Sequence, residues 1–282
     1  SVTIPIHGVR PAGVCGNGVV DFDETCDAPN DANCVMCQTR EAVANRVVVG
    51  NERQPAVVWG PSQRLVVGYA VTDVDTTTGE DVYAQFFLPD GSPETSGGLA
   101  NDQRLGTGPN PQQRPVFATT GGAAGTRFVA AWETFEQNAS QQSVAAQSYS
   151  DGPPGTARVH VGAAGTRRQR PSIAASANRV VVVWSETGGI RTSSAPLALP
   201  LAGDLASPAS VYDGAGEDPK IAALPDGSFV VVWASSGDLW ARRLAATGAP
   251  MGMATALAMA GTQDQPALAA LPDGSVALAW RD

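Results

Sequence analysis

The stretch DPKIAALPDGSFVVVWASSGDLWARRL, residues 218–244, contains the unit that repeats through this chain of 282 residues. A polar residue followed by Pro leads into an apolar run, and after a PDGS turn a second apolar run ends on Trp233. A third segment, LWARRL, follows a further Ser-Gly turn. Short apolar runs separated by Gly, Pro, Asp and Ser are typical of antiparallel strands joined by tight turns.

The unit occurs five times. Its polar–Pro step falls at Gln54-Pro55, Arg114-Pro115, Arg170-Pro171, Asp218-Pro219 and Gln265-Pro266, and its aromatic at Tyr69, Trp132, Trp184, Trp233 and Trp280. Third and fourth strand-like segments follow in four of the copies, and a period near ~45 residues with four strands is the signature of a propeller blade. The sequence therefore predicts an all-β, five-bladed β-propeller with four antiparallel strands per blade. The recurring aromatics are expected to pack between sheets.

Only two residues follow Trp280, so the last two strands of the fifth blade must come from elsewhere. Val2–His7 aligns with the third strands, and Asn45–Gly50 precedes Gln54-Pro55, where fourth strands lie in the other copies. We expect these segments to close the ring in one blade, which removes open sheet edges. The alternative is a fragment of a longer array. The predicted domains are a propeller of residues 1–13 and 39–282 and a disulfide-rich insertion of residues 14–38.

The insertion contains all four cysteines of the chain: Cys15, Cys26, Cys34 and Cys37. A single CxxC pair and no nearby His favour two disulfides over a zinc site, and disulfides indicate an oxidising compartment. Because a bond within CxxC closes a very small ring, we favour the pairs Cys15–Cys34 and Cys26–Cys37. The loop also carries crowded carboxylates that offer a calcium site, although a metal-free acidic loop is preferred; they are Asp21, Asp23, Glu24, Asp27 and Asp31.

The elements CGNG at residues 15–18 and ETCD at residues 24–27 resemble the Cys-rich repeat of secreted myxobacterial and related bacterial proteins. This resemblance spans residues 14–38. The blades are similar to secreted bacterial repeats of the form P.iaaLpDGsfvvvW. Both resemblances imply an exported protein, periplasmic or at the cell surface of a Gram-negative bacterium, and neither implies an activity.

The composition and charge of the chain argue against several classes of function. With 27 acidic against 18 basic side chains the net charge is −9, which argues against nucleic acid and anionic membranes as partners. No apolar run approaches the ~20 residues of a membrane span. The two histidines lack the context of a catalytic triad, and the inner apolar runs lack the paired carboxylates of a glycosidase. The preferred reading is a secreted, non-enzymatic binding or structural module for an extracellular protein or glycan, without a cofactor. A lectin-like glycan binder is the alternative, and a five-bladed glycosidase is the third.

A candidate ligand site lies where the inner strands begin. In a propeller these strand starts converge on one mouth of the channel, so their polar side chains should ring it. The candidates are Gln54, Arg114, Arg168, Arg170, Glu217, Asp218, Asp264 and Gln265. Arginine grips carboxylate or phosphate groups with two prongs, so a small anionic or polar ligand, such as an acidic sugar, is expected there. The alternative, which we favour, is that these residues pair with one another as a scaffold.

Overall fold

The computed structural model describes residues 34–35, 38–39, 50–59, 65–72, 79–87, 94, 103–105, 110–119, 128–135, 142–149, 159–162, 167–197, 205, 208–257 and 261–282, with only the backbone of 34–35 and 38–39. The chain divides into two units, Ser1–Val43 and Ala44–Asp282. In the first unit, β1 (Cys34–Val35) pairs antiparallel with β2 (Gln38–Thr39).

The second unit contains five sheets whose strands pair antiparallel in chain order. Sheet one consists of β3 (Asn51–Trp59), β4 (Leu65–Thr72), β5 (Glu80–Phe87) and β6 (Gln103–Arg104). Sheet two consists of β7 (Gln112–Thr119), β8 (Phe128–Thr134), β9 (Ser143–Tyr149) and β10 (Val159–Val161). Sheet three consists of β11 (Arg168–Ala175), β12 (Arg179–Glu186), β13 (Gly189–Pro196) and β14 (Ala209–Asp213).

Sheet four consists of β15 (Glu217–Ala223), β16 (Phe229–Ser235), β17 (Asp238–Leu244) and β18 (Thr255–Leu257). In sheet five, the described part of the chain shows β19 (Asp264–Ala270) and β20 (Val276–Arg281). Every described element is a strand, so the all-β prediction is confirmed, as is the four-stranded meander for sheets one to four. Among the described residues, we find no helix with the length and hydropathy of a membrane span.

The first strands of successive sheets contact one another, from β3 through β7, β11 and β15 to β19. These are therefore the inner strands of a β-propeller-like arrangement. The recurring aromatics fill the layers between neighbouring sheets: Trp132 packs with sheet one, Trp184 with sheet two and Trp233 with sheet three. All three side chains are 0% exposed, which confirms the expected packing role. Losing such a side chain costs about 3–5 kcal/mol of stability.

Each inner strand carries a β-bulge at its polar–Pro step. In sheet one, Arg53 pairs with Ala70 and Ala56 with Gly68, so Gln54 and Pro55 together face the single residue Tyr69. The same two-against-one register recurs opposite Trp132, Trp184, Trp233 and Trp280. Proline fits the bulge because it has no N–H to place in the ladder. The polar–Pro step and the aromatic are thus the two halves of one structural device.

The residue before each proline adopts a left-handed backbone conformation. Its φ lies between 48° and 56° in all five sheets, at Gln54, Arg114, Arg170, Asp218 and Gln265. For a residue with a Cβ this conformation costs roughly 1–2 kcal/mol. The residue before a proline is also normally extended. Five repetitions of the same unfavourable conformation indicate that the surrounding packing enforces it.

Part of the predicted architecture concerns residues outside the described ones. The closing strands Val2–His7 and Asn45–Gly50 belong to this part, apart from Gly50, and so does the insertion of residues 14–38, apart from the backbone of 34–35 and 38. The disulfide pairs of Cys15, Cys26, Cys34 and Cys37 and the export of the protein therefore stay predictions.

The backbone strain at the bulges can be measured with two glycine substitutions on β19. We expect Gln265→Gly to leave the melting temperature unchanged or raised, because glycine adopts positive φ at little cost. Ala267→Gly, two residues further along the strand with no positive φ, should lower the free energy of unfolding by about 0.5–1 kcal/mol. Thermal denaturation of both variants tests this. An equal loss of stability in the two would show that the bulge carries no strain.

Candidate functional site

The five left-handed residues line one cavity of about 410 Å³. One side chain comes from each inner strand, and the wall is completed by Val116, Pro171, Lys220 and Pro266. The bulge explains the convergence, because the extra residue interrupts the alternation of the strand and re-aims its side chain. The convergence predicted for Gln54, Arg114, Arg170, Asp218 and Gln265 is therefore present in the structure.

Three cations and one carboxylate line this pocket. Nη1 of Arg170 lies 2.9 Å from Oδ2 of Asp218 and 3.0 Å from Oε2 of Glu217. The Asp218 side chain is 23% exposed and that of Glu217 is 67% exposed, so Asp218 belongs to the wall and Glu217 to the rim. Arg114 and Lys220 add two further positive charges to the lining. Gln54 and Gln265 contribute neutral amides.

A buried carboxylate, Glu133, lies behind Arg114. Its Oε1 is 3.6 Å from Nη1 of Arg114, and its side chain is 0% exposed. It accepts hydrogen bonds from the side-chain amides of Gln113 and Gln142 and from the backbone N–H of Arg170. These donors satisfy the carboxylate, as a buried charge requires. Glu133 is not among the site residues predicted from the sequence. Its signal is its position directly after Trp132, where the other copies carry Ala70, Ser185, Ala234 and Arg281.

Side chains of one sheet hold the bulge of the next. Oε1 of Gln54 accepts a hydrogen bond from the backbone N–H of Arg114 at 2.8 Å. In the next pair of sheets, Glu133 accepts from the backbone N–H of Arg170, and Arg170 in turn reaches Asp218. The first two contacts satisfy backbone N–H groups of left-handed residues, and the three together connect the pocket wall across sheets one to four.

Lys220 is the only lysine in the chain and was also missed. The other copies carry Ala, Val, Ser and Ala at this position, two residues after the left-handed one. Burial lowers the pKa of its ammonium group; Asp218 opposes this shift, whereas Arg170 and Arg114 add to it. A lysine in a layer of small apolar residues, beside two like charges, is a departure from the repeat that scaffolding does not require.

Three predicted site residues do not line the pocket. Arg168 is buried, with Nε 4.0 Å from Oε2 of Glu186, and burial lowers its pKa. Asp264 accepts two hydrogen bonds from Arg281 on the neighbouring strand, and these bonds lower the pKa of Asp264. Glu217 reaches the site only through Arg170.

The two polar residues that precede each repeat proline therefore divide between two roles. The residue before proline faces the pocket in every sheet. The residue preceding it binds another strand of its own sheet in three sheets: Arg53 donates to Glu80 at 2.6 and 2.8 Å, Gln113 donates to Glu133, and Asp264 accepts from Arg281. The scaffold interpretation describes this second set.

Within the described ranges, no group of three or more His, Cys, Asp and Glu side chains could hold a metal ion. The acidic loop considered for calcium, which comprises Asp21, Asp23, Glu24, Asp27 and Asp31, lies outside the described residues.

Solved structures share this fold. A protein of unknown function from Dyadobacter fermentans matches with a TM-score of 0.53 and 11% identity, covering 86% of this chain and 78% of that one. The α-L-arabinofuranosidase of Fusarium graminearum with an iminosugar inhibitor matches with a TM-score of 0.50 and 10% identity, covering 81% and 74%. A mutant of that enzyme matches with a TM-score of 0.52 and 11% identity, again covering 81% of this chain and 74% of that one. At these identities the similarity establishes the fold. No family model matches the sequence, and neither does any curated protein.

This finding corrects the functional reading of the sequence. The preference for a non-enzymatic binding or structural module, lectin-like binding included, and the expectation that the chain is not an enzyme are overturned, because the structural neighbours include a glycoside hydrolase. The sequence argued against a glycosidase because the apolar inner runs themselves contain no carboxylate. The bulge brings Asp218 into the pocket from just before the run.

Lys220 should destabilise the protein. We expect Lys220→Met to raise the free energy of unfolding at neutral pH by about 0.5–2 kcal/mol, because it removes a desolvated charge beside two arginines. A group whose pKa is lowered on folding binds more protons in the unfolded state, so the parent should gain stability as pH rises through the folded pKa of Lys220. The variant should lack this gain.

Urea denaturation between pH 7 and pH 10 measures this effect. The control is Arg243→Met, which removes an exposed cation paired with Asp226 and should not stabilise the protein. A Lys220→Met variant that is less stable than the parent would show that Lys220 is a structural residue.

Proposed function

We propose that this chain is a glycoside hydrolase that binds its glycan in the pocket of the five bulge residues. One observation carries the proposal: Asp218 is a partly buried carboxylate in the wall of a polar pocket at the meeting point of the inner strands. The pocket is large enough for a sugar residue, since ligand sites typically start at about 300 Å³. The likeness of the fold to an α-L-arabinofuranosidase supports this class of reaction.

The carboxylates present suit a retaining mechanism. Asp218 and Glu217 both lie about 3 Å from one nitrogen of Arg170, which places their oxygens closer than the roughly 6.5–9.5 Å separation of inverting enzymes. Adjacent residues of a regular strand point to opposite faces. The left-handed backbone at Asp218 turns its side chain to the same guanidinium as that of Glu217.

The roles follow from exposure. Asp218, in the wall, would attack the anomeric carbon while Glu217, at the rim, gives its proton to the departing glycosidic oxygen. Water would then attack the glycosyl–enzyme ester and lose its proton to Glu217, which releases the sugar and restores both carboxyl groups. Arg170, bonded to both, positions the pair.

Substitution of the two carboxylates tests the reaction. We expect Asp218→Asn and Glu217→Gln to lower the hydrolysis rate by roughly 10²–10⁴-fold, the usual loss for a group that moves a proton or attacks. The measurement is release of reducing sugar from arabino-oligosaccharides and from a panel of neutral and acidic oligosaccharides.

The matched control is Asp264→Asn, which alters the neighbouring inner strand at a carboxylate held by Arg281. It should retain activity within a few-fold. A parent protein without activity on the whole panel, or equal losses in all three variants, would contradict the proposal.

We further infer that the sheets form five closed blades, the fifth completed by residues from the N-terminal part of the chain. The solvent exposure of two tryptophans supports this closure. Trp280 is 43% exposed, whereas Trp132, Trp184 and Trp233 occupy the same repeat position at 0%. On β3, whose sheet would face the completed blade, Trp59 is 62% exposed. A covering strand would bury this apolar surface.

Deletion of residues 1–8 tests the closure. We expect a loss of several kcal/mol in the free energy of unfolding, because apolar side chains of this size are each worth about 1.5–3 kcal/mol on burial. Thermal denaturation and quenching of tryptophan fluorescence by iodide measure the loss of stability and the exposure. An unchanged melting temperature and unchanged quenching would contradict the closure.

A further inference from the structure

The pocket carries more positive charge than its wall can balance. Arg114, Arg170 and Lys220 line it against the single lining carboxylate, Asp218. The chain as a whole has a net charge of −9. A positive pocket in an acidic protein is a local feature of the site and not a consequence of composition.

The nearby acidic groups are already engaged. Glu133 lies buried behind Arg114, where two side-chain amides and a backbone N–H donate to it. Its 3.6 Å separation from Arg114 is longer than a hydrogen bond. Glu217 accepts from Arg170 outside the pocket wall. Both carboxylates are paired with the arginines from outside the pocket lining, and neither is paired with Lys220.

Lys220 has no carboxylate within ion-pair distance in the part of the chain that the structure describes. Its neighbours in the pocket are Asp218, which Arg170 already binds, and the two arginines. Arg114 presents a planar fork of five donors, of which Glu133 meets only one end at long range. An arginine and a lysine in the lining of a sugar-sized cavity can bind a compact anion.

We propose that the pocket recognises a sugar bearing an acid group, held by Arg114 and Lys220 while Arg170 positions Asp218 and Glu217. The inference rests on the proposed function, because it names the substrate class of that same site. The shared chemistry is a fixed negative charge on the sugar ring, either the carboxylate of a uronic acid or a sulfate ester. A neutral pentose would leave Lys220 desolvated without an anionic partner, which costs binding energy.

Calorimetric titration with three trisaccharides tests the specificity: trigalacturonate, a sulfated trisaccharide and neutral arabinotriose. We expect the parent to bind one of the acidic sugars at least about tenfold more tightly than the neutral one, and the acidic sugar to lose affinity steeply with added salt. Tighter binding of trigalacturonate would identify the acid group as a carboxylate, and tighter binding of the sulfated trisaccharide would identify it as a sulfate ester. Equal affinity for all three sugars would overturn the inference.

The two cations are tested by Arg114→Gln and Lys220→Met. Each should weaken binding of the acidic sugar by about tenfold or more without weakening binding of arabinotriose, because the lost cation is favourable only for the charged ligand. The control is Arg243→Gln, an exposed arginine on β17 with its own partner Asp226, which should change neither affinity. Melting temperatures of all three variants establish that they are folded. Equal weakening of acidic and neutral sugars in both pocket variants would overturn the inference.

The single lysine gives a second readout that needs no turnover. In protein labelled at lysine with ¹³C, Lys220 gives the only side-chain lysine signal, and its titration reports the pKa directly. Trigalacturonate should raise this pKa, because a nearby anion favours the ammonium form. An unchanged titration in the presence of saturating trigalacturonate would show that the acid group lies elsewhere.

These results separate the inference from the proposed function. If acidic sugars bind through Arg114 and Lys220 but no sugar is cleaved, the proposed hydrolysis fails and the inference stands. If arabino-oligosaccharides are cleaved while acidic sugars neither bind nor react, the inference fails and the hydrolysis stands.

Discussion

The rest of the structure depends on the two-against-one register between each polar–Pro step and its aromatic partner. The aromatic is fixed in the layer between two sheets. The extra residue of the inner strand therefore lies opposite the aromatic in every copy. Proline satisfies the ladder because it has no N–H, and the residue before it is forced into positive φ. Five such residues cost roughly 1–2 kcal/mol each. The burial of the tryptophans, worth about 3–5 kcal/mol each, outweighs that strain. The strained residues are those that line the pocket.

The contacts that join neighbouring sheets also shape the wall of the pocket. The amide of Gln54 binds the backbone N–H of Arg114, Glu133 binds that of Arg170, and Arg170 reaches Asp218. The first two contacts satisfy the backbone N–H of a strained residue, and the third joins two side chains that line the cavity. Groups held by rigid strands and by such supporting contacts keep the geometry that binding or catalysis requires. The pocket is therefore preorganised by the interactions that join sheets one to four.

The repeat made much of this predictable, and departures from the repeat mark what was missed. Strand positions, the packing of Trp132 and its counterparts and the convergence of the polar residues follow from one period read five times. The bulge does not follow from the repeat, because the register of Pro55 against Tyr69 depends on how β3 and β4 pair, and the repeat pattern does not specify that register. Burial of Lys220 and Glu133 depends on the neighbouring sheets in the same way. Lys220 could have been found as the single charged residue at its repeat position, and Glu133 as the single acidic residue at a position that is small in three of the other four copies.

Lys220 connects the energetics of the pocket to its chemistry. A lysine placed in a buried layer beside two arginines is opposed by desolvation and by like-charge repulsion, and Asp218 offsets only part of this. An apolar residue, which the other copies show to be compatible with the fold, would avoid that cost. Local rules are broken at functional sites because an interaction absent from the free protein repays the cost when it forms. For a desolvated cation beside two other cations, an anion is the partner that would repay this cost, and the cavity that Lys220 lines is the place where we propose that it binds.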